Sequence, residues 1–473
     1  MLPLIVDLDG TLVHTDMLHE SVLKVVGNNP LSALCIPYWL LCGKALLKER
    51  LAHRAHVDPS TLPYNQDLLY WLNSQRTQER KLILCTASDL LIATAIANHL
   101  GVFDEVMASD GKTNLSGRLK ANALEARFGV AGFDYVGNSR ADLAVWKRAR
   151  RAIVVNASAD LTQKARQHCE VEHVFPAPRR TFKTLGRILR VHQWLKNILL
   201  FIPVIAAHQI MDMSTWTTLL IAFCAFSLCA SSVYVTNDLL DLEHDRQHPR
   251  KCKRAFASGA VPAWVGIVLA PLLLLISLAV SFLVSSSFFI CLMVYFFATC
   301  AYSWGLKRLV LIDCLTLAML YTMRIIAGAV AAGLSLSFWL LAFSVFLFLS
   351  LAFVKRYAEF AGQTRNNKLH GRGYLTTDAP LVQSLGITAG YLSILVLALY
   401  LNSQEILVLY KTPELIWATV PILLYWISWM WLQAHRGKMH DDPLIYAVKD
   451  KASLLTGLLF SVVLISGTLG LPW

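Results

Sequence analysis

The chain has 473 residues, with apolar types at 56%, charged types at 16% and a formal net charge of +12. That length exceeds one ordinary core, and that apolar share exceeds what a soluble chain of this size carries, so at least one soluble and one membrane domain are expected. No basic face interleaved with aromatic platforms is legible, which excludes nucleic acid as a partner; the positive excess suits cytoplasmic loops.

Ten cysteines stand singly, without a CxxC pair, and Cys224, Cys229, Cys291 and Cys300 lie in apolar stretches. A zinc site or a disulfide framework is therefore not expected. Met1 leads straight into Leu4-Ile5-Val6, a short strand pattern that ends in carboxylates, so a cytoplasmic N-terminus without a signal peptide is expected. Residues 1–178 read as a soluble α/β domain. Strands are predicted at 4–6, 81–85, 135–136 and 152–155, with helical patterns between them, which implies a parallel sheet. Residues 15–75 break that alternation and read as an inserted helical cap. Within it, 31–47 is apolar but holds Pro37, Gly43 and Lys44, so it is expected to bury its face or rest on the bilayer rather than to cross it.

Pro176, Pro178, Arg179, Arg180, Lys183, Arg187 and Arg190 mark a basic linker, placed at 179–193. Nine hydrophobic segments follow, at about 194–211, 215–236, 262–284, 287–304, 309–331, 335–353, 382–401, 414–433 and 453–471. Most approach the ~20 residues that a hydrocarbon core demands, so 194–473 reads as an all-α polytopic membrane domain. Loops 237–261, 305–308, 354–381 and 434–452 carry sixteen Lys or Arg, and the opposite loops carry one, Lys411. The asymmetry predicts an inner (plasma) membrane protein with its N-terminal domain in the cytoplasm.

Asp7-Leu8-Asp9-Gly10-Thr11 closes the first predicted strand. Carboxylates at i and i+2 leave a strand end on the same side. One can attack phosphorus, the other can protonate the leaving group, and Mg²⁺ can offset the phosphate charge. Here the chain resembles the haloacid-dehalogenase-like phosphohydrolases, over roughly residues 1–160. The resemblance implies Asp7 as nucleophile and Asp9 as general acid/base. It implies Thr11, Thr86 and Lys120 on the phosphate, and Asp142 with Asp7 and Asp9 on Mg²⁺. One position departs: the family often shows Gly-Asp where this chain has Gly137-Asn138.

Asn237-Asp238-Leu239-Leu240-Asp241-Leu242-Glu243-His244-Asp245-Arg246 follows the second apolar segment. Asp238, Asp241 and Asp245, at i, i+3 and i+7, fall on one face of a helix. Three such acids repel one another unless cations sit between them, and with diphosphate oxygens they make the hard site Mg²⁺ prefers. The alternative is a solvated helix whose acids balance Arg250, Lys251, Lys253 and Arg254. The NDxxDxxxD pattern resembles the UbiA superfamily of membrane prenyltransferases, over about residues 183–473. That resemblance implies a diphosphate held through Mg²⁺ on Asp238, Asp241 and Asp245, with Asn237 beside it.

Many members of the superfamily carry a second Asp-rich motif. This chain instead offers Lys355, Arg356, Tyr357, Glu359, Arg372 and Tyr374 there, with Asp378 as the only Asp. Residues 190–197, 306–308, 311–313, 321–324 and 355–359, with Asp442-Pro443 and Asp450, resemble the polyprenyl-phosphate phosphoribosyltransferase branch. The branch implies transfer of 5-phosphoribose from 5-phosphoribose 1-diphosphate to a polyprenyl phosphate, with Mg²⁺ as cofactor. Lys196, Lys307, Arg324, Lys355 and Arg356 become phosphate-holding candidates, and Arg324 is expected to pair with Asp313. The fused phosphatase would then convert the product to polyprenylphosphoryl ribose. Two other readings are an aromatic prenyltransferase using prenyl diphosphate, and a polytopic transporter or flippase with a regulatory domain. The first wants a complete second DxxxD; the second wants acids nearer the midplane.

Overall fold

The computed structural model describes all residues except 78, 178–181, 210, 361–368, 370–371, 404–408, 440–441 and 471–473. Pro178, Arg179 and Arg180 of the expected linker therefore lie outside the described residues. The chain divides into two compact units. Met1–Leu189 with Tyr234–Ala270 form the first, and Arg190–Val233 with Pro271–Trp473 form the second.

In the first unit, β1 (Leu4–Val6), β2 (Leu82–Asp89), β3 (Glu105–Ser109), β4 (Asp134–Gly137), β5 (Arg151–Ala157) and β6 (Glu170–Pro176) make a parallel sheet in the order β3-β2-β1-β4-β5-β6. Ile5 lies opposite Ile83 on one side and Tyr135 on the other. Helices cover both faces of such a sheet, so its central strands read as continuous apolar runs, and β1 is wholly buried. The four predicted strands are present as β1, β2, β4 and β5. The edge strands β3 and β6 escape that reading because edges tolerate charge and exposure. Glu105 on β3 pairs with Lys81 and Arg127, and Glu170 on β6 pairs with Arg151. The order reverses at β1 and β4, and in open parallel sheets ligands bind beyond the carboxyl ends of strands at such a point. Asp7 follows β1 directly.

The insertion between β1 and β2 holds α1 (Met17–Asn28), a 3₁₀ turn (Pro30–Cys35), α2 (Ile36–Leu41) and α3 (Lys44–Ala55). Asp16 caps α1 by accepting from the Leu18 amide. The next helix, Gln66–Thr77, inserts Leu68 and Leu72 into the core beside the sheet. Met17 of α1 and Ala52 of α3 join the same cluster, so the helices between β1 and β2 share one core with the sheet. The apolar stretch 31–47 is not one helix: the chain turns at Cys42 and Gly43, whose φ of 125° suits glycine. Trp39 and Leu47 point inward, but most of the apolar side chains before Gly43 remain exposed.

Among the described residues, eight helices are long and apolar enough to cross a membrane: Met213–Leu240, Ala263–Val284, Ser286–Trp304, Ile312–Ala331, Phe338–Phe360, Thr376–Leu401, Pro413–His435 and Lys451–Leu469. The expected first span is the exception. It forms a 3₁₀ helix, Val191–Phe201, and a short α-helix, Ile202–Ala206. Gly328 explains the close packing of this segment, since a Cβ there would lie 2.0 Å from the Leu200 carbonyl oxygen. The backbone of Ile312–Ala331 can therefore lie directly against it.

Within the second unit, Arg356 and Asp313 are both 0% exposed, with Nη2 2.5 Å from Oδ2, a close ion pair rather than an aligned hydrogen bond. Arg372 reaches Asp313 Oδ1 at 3.1 Å, and the Tyr302 hydroxyl donates to the same oxygen at 2.9 Å. Removing one partner of a buried pair strands the other charge. Arg356→Met is expected to cost about 3–5 kcal/mol of stability, visible as a lower thermal midpoint in detergent; an unchanged midpoint refutes it.

Candidate active sites

Residues at the carboxyl ends of β1, β2 and β4 converge. Lys120 Nζ lies 2.6 Å from Asp7 Oδ1 and also donates to the Cys85 carbonyl at 3.0 Å. Thr11 donates to Asp7 Oδ2 at 3.3 Å. Asp9 Oδ1 accepts from the Met17 amide at 2.8 Å, so the start of α1 fixes this carboxylate. Asp9 Oδ2 accepts from Ser88 at 2.7 Å and from Thr86 at 3.3 Å. Asp142 is tied into its own loop: Oδ2 accepts from the Asn138 and Ser139 amides and the Ser139 hydroxyl, and Oδ1 from Tyr135. Asn138 packs against Gly10, whose φ of 73° and crowded Cβ position both require glycine.

Electrostatics follow from crowding. Burial pushes the Asp7 carboxyl up to about 7; Lys120 opposes this, while Asp142 and Asp9 add to it. Burial and the neighbouring Asp16 also raise Asp9. Burial alone would lower the Lys120 ammonium, but Asp7 outweighs it and holds that ammonium charged. Sequence reading missed Ser88, Tyr135 and the cap residue Lys48. Lys48 reaches the Ala87 carbonyl at 2.5 Å and Asn114 at 2.9 Å, and burial lowers its ammonium. A shallow recess opens between cap and core, lined by Met17, Leu18, Ser21, Lys48, Ser88 and Ile92. Serine two residues after Thr86 was the available signal.

The Asp-rich segment also belongs to the first unit. The three acids do not share one continuous helix. The long helix ends at Leu240, Asp241 is a turn residue, and a second helix spans Leu242–Gln247. Asp238 and Asp245 are nevertheless both buried and both bonded to Arg254, Asp238 at 3.0 Å. The guanidinium bridges them. Balancing of these acids by Arg254 is therefore real, but the acids are not solvated. Asn237 and Asp241 are half-buried beside them.

The same segment is gripped by the cap. Arg246 donates to Glu20 on α1 at 2.6 and 3.2 Å, both side chains being buried, and Lys24 pairs with Glu243. Thr15 supports Glu20 at 2.7 Å, and Leu23 packs on the cluster of Val235, Leu239 and Leu242.

In the second unit two phosphate-holding candidates meet on one acid. Lys196 lies 2.8 Å and Lys355 3.2 Å from Asp442 Oδ2, and Tyr321 donates to Asp442 at 2.9 Å. Burial would raise the Asp442 carboxyl, but the two lysines and these hydrogen bonds prevail and hold it well below the usual carboxylate range. Arg324 does not pair with Asp313. It donates to Asn197 at 2.9 Å, Tyr295 at 2.8 Å and the Leu320 carbonyl at 2.5 Å. Asp313 takes Arg356 and Arg372 instead, and the fully buried Arg356 spends its charge on Asp313 and Glu359 rather than facing a phosphate. Lys307 is half-buried in the 3₁₀ turn Leu306–Arg308.

The sequence profile of the UbiA prenyltransferase family matches residues 198–460. The chain belongs to that family. Uncharacterized protein y4nM of Sinorhizobium fredii is 37% identical over 465 residues, spanning 97% of this chain and 90% of that one. The decaprenyl-phosphate phosphoribosyltransferase of Mycolicibacterium smegmatis is 37% identical over 188 residues, which is 38% of this chain and 58% of that one. Phosphoserine phosphatase in apo form overlaps 40% of this chain and 98% of its own at a TM-score of 0.28 and 16% identity. As a UbiA-family chain with multiple helices among the described residues long and apolar enough to cross a membrane, the protein is a multi-pass integral membrane protein.

Proposed function

We propose that the membrane part transfers 5-phosphoribose from 5-phosphoribose 1-diphosphate to a polyprenyl phosphate, and that the N-terminal part then removes the 5-phosphate. The observation that carries this reading is the buried pair Asp238 and Asp245, turned onto one cation, Arg254. Carboxylates so placed suit a divalent ion and the diphosphate it binds. The relative named decaprenyl-phosphate phosphoribosyltransferase supports the substrate pair.

Both acid sets are all-oxygen donors, the type Mg²⁺ favours, and the crowding that lifts Asp7 to about 7 is relieved by a divalent cation. Asp7, Asp9 and Asp142 would hold one ion; Asp238, Asp241 and Asp245 would hold the diphosphate's. When bound, Mg²⁺ supplies neutralisation of phosphate charge. The chain's own groups do the rest. The acceptor phosphate is already anionic and needs positioning more than a base, a task assigned to Lys196 and Lys355. In the phosphatase, an Asp7 oxygen attacks phosphorus while Asp9 protonates the departing ribose oxygen. Asp9 then takes a proton from the water that hydrolyses the aspartyl phosphate. Thr11, Thr86 and Lys120 orient the phosphate. The N-terminal part would work on the cytoplasmic side of the inner membrane.

Radiolabel transfer tests the reading. Membranes holding the protein should label a lipid from 5-phosphoribose 1-diphosphate plus polyprenyl phosphate. Label reaching lipid only from prenyl diphosphate plus 4-hydroxybenzoate overturns it.

Proton linkage gives a second check. A carboxylate must lose its proton to bind metal, and metal-free Asp7 holds its proton up to about pH 7. The apparent Mg²⁺ affinity of the phosphatase should therefore rise with pH by up to about tenfold per unit below that point and level off above it. Titrations at pH 5.5 to 8.5, read as Mg²⁺-dependent hydrolysis of a soluble phosphate ester, measure it. A flat profile contradicts the assignment.

A further inference from the structure

The outer side of the cap carries an apolar patch that neither proposed reaction uses. Leu31, Leu34, Tyr38 and Leu41 are 72%, 78%, 67% and 88% exposed, and Leu40 is also exposed. They crowd into the 3₁₀ turn Pro30–Cys35 and α2. The inner side of this segment is anchored: Trp39 is buried against Val25, Leu47 and Leu51, and the Arg54 guanidinium stacks 4.4 Å over its ring. The outward side chains are thus held in place by a seated core residue.

Two observations say what covers them. First, the segment begins just after Gly27 on α1, and a Cβ at Gly27 would lie 3.7 Å from Leu240 Cδ2. Leu240 is the last residue of the apolar helix Met213–Leu240, so the patch leaves α1 beside the end of a membrane span. Second, the patch is followed on α3 by exposed Lys44 and Arg50, with no acid in the first turn of that helix. Leucines and a tyrosine beside exposed bases are the composition of a segment that lies in a bilayer interface, with its apolar groups among acyl chains and its bases among anionic headgroups.

We propose that Pro30–Leu41 is an interfacial membrane anchor, which dips into the headgroup and acyl boundary of an anionic bilayer and holds the cap recess at the lipid surface. The anchor is independent of the phosphatase reading. If both hold, a phosphate carried on a lipid-linked sugar meets Asp7 without leaving the membrane.

Depth measurement tests it on the full chain. The exposed native thiols Cys35, Cys42 and Cys224 are replaced by serine, and a nitroxide is attached in turn at Leu34→Cys, Leu41→Cys and Val130→Cys. Val130 is an exposed control site that precedes β4, at the opposite end of the sheet from Asp7. In vesicles of phosphatidylglycerol and phosphatidylethanolamine, the labels at 34 and 41 should collide with oxygen more than with a water-soluble nickel complex, and the label at 130 the reverse. Labels at 34 and 41 that match 130 overturn the anchor. So does dipolar broadening between labels, which would mean that a second copy covers the patch. Leu34→Asp and Leu41→Asp should also weaken hydrolysis of a lipid-linked phosphate while sparing a soluble ester; equal loss on both refutes a membrane role.

Discussion

Asp7→Asn should leave the lipid product carrying its 5-phosphate. Asparagine fills the same space but cannot act as the carboxylate nucleophile, so hydrolysis should fall on the order of 10³-fold or more. The change is also mild structurally, because Asn keeps an acceptor for Lys120 and Thr11, which hold Asp7 now. Mass spectrometry of lipids made from 5-phosphoribose 1-diphosphate should show phosphorylated product accumulating in the variant and dephosphorylated product in the parent. The rate of label entry into lipid should not change. If both proteins leave the 5-phosphate in place, the N-terminal part acts on something else; if both remove it equally, Asp7 is not the nucleophile.

Asp238→Asn should show the converse. It keeps the volume of a residue that is only 5% exposed but removes one of the two charges facing Arg254. Transfer of label to lipid should drop at least ~100-fold, since even groups that merely support a metal ligand are worth about 10–100-fold. Hydrolysis of a soluble phosphate ester should persist. Raising Mg²⁺ should restore only part of the loss, because the defect is in affinity and in the charge presented to the diphosphate. Full activity in Asp238→Asn would remove the Asp-rich segment from the reaction.

Sequence alone made the centre of the sheet legible because β1, β2, β4 and β5 are buried on both sides and must be continuously apolar. It left β3 and β6 unread because an edge strand can carry Glu105 or Glu170 at no cost to a core. Asp7, Asp9, Thr86, Lys120 and Asp142 are named by the family resemblance, and the structure puts Lys120, from the helix Gly117–Phe128, on Asp7 and Thr86 on Asp9, while Asp142 bonds within its own loop. Pairing across long separations was not legible. An Arg inside an apolar segment wants a partner and Asp313 is the expected one, yet the partners of Arg324 are Asn197 and Tyr295, and Asp313 serves Arg356 from another helix. The convergence of Lys196 and Lys355 on Asp442 joins residues far apart in the chain, which periodicity cannot supply. The break at Asp241 was hidden because i, i+3, i+7 spacing presumes an unbroken helix.

The clasp of Glu20 on Arg246 bears on how such a chain could be divided in evolution. Splitting the gene near residue 180 would separate a carboxylate from its guanidinium, each in a place sheltered from water, and would strip Leu23 from the surface it covers. Either fragment would then carry a stranded ion and a sticky face until the two proteins met again. Inheritance as one reading frame avoids that interval, and makes the N-terminal domain a brace for the Asp-rich segment.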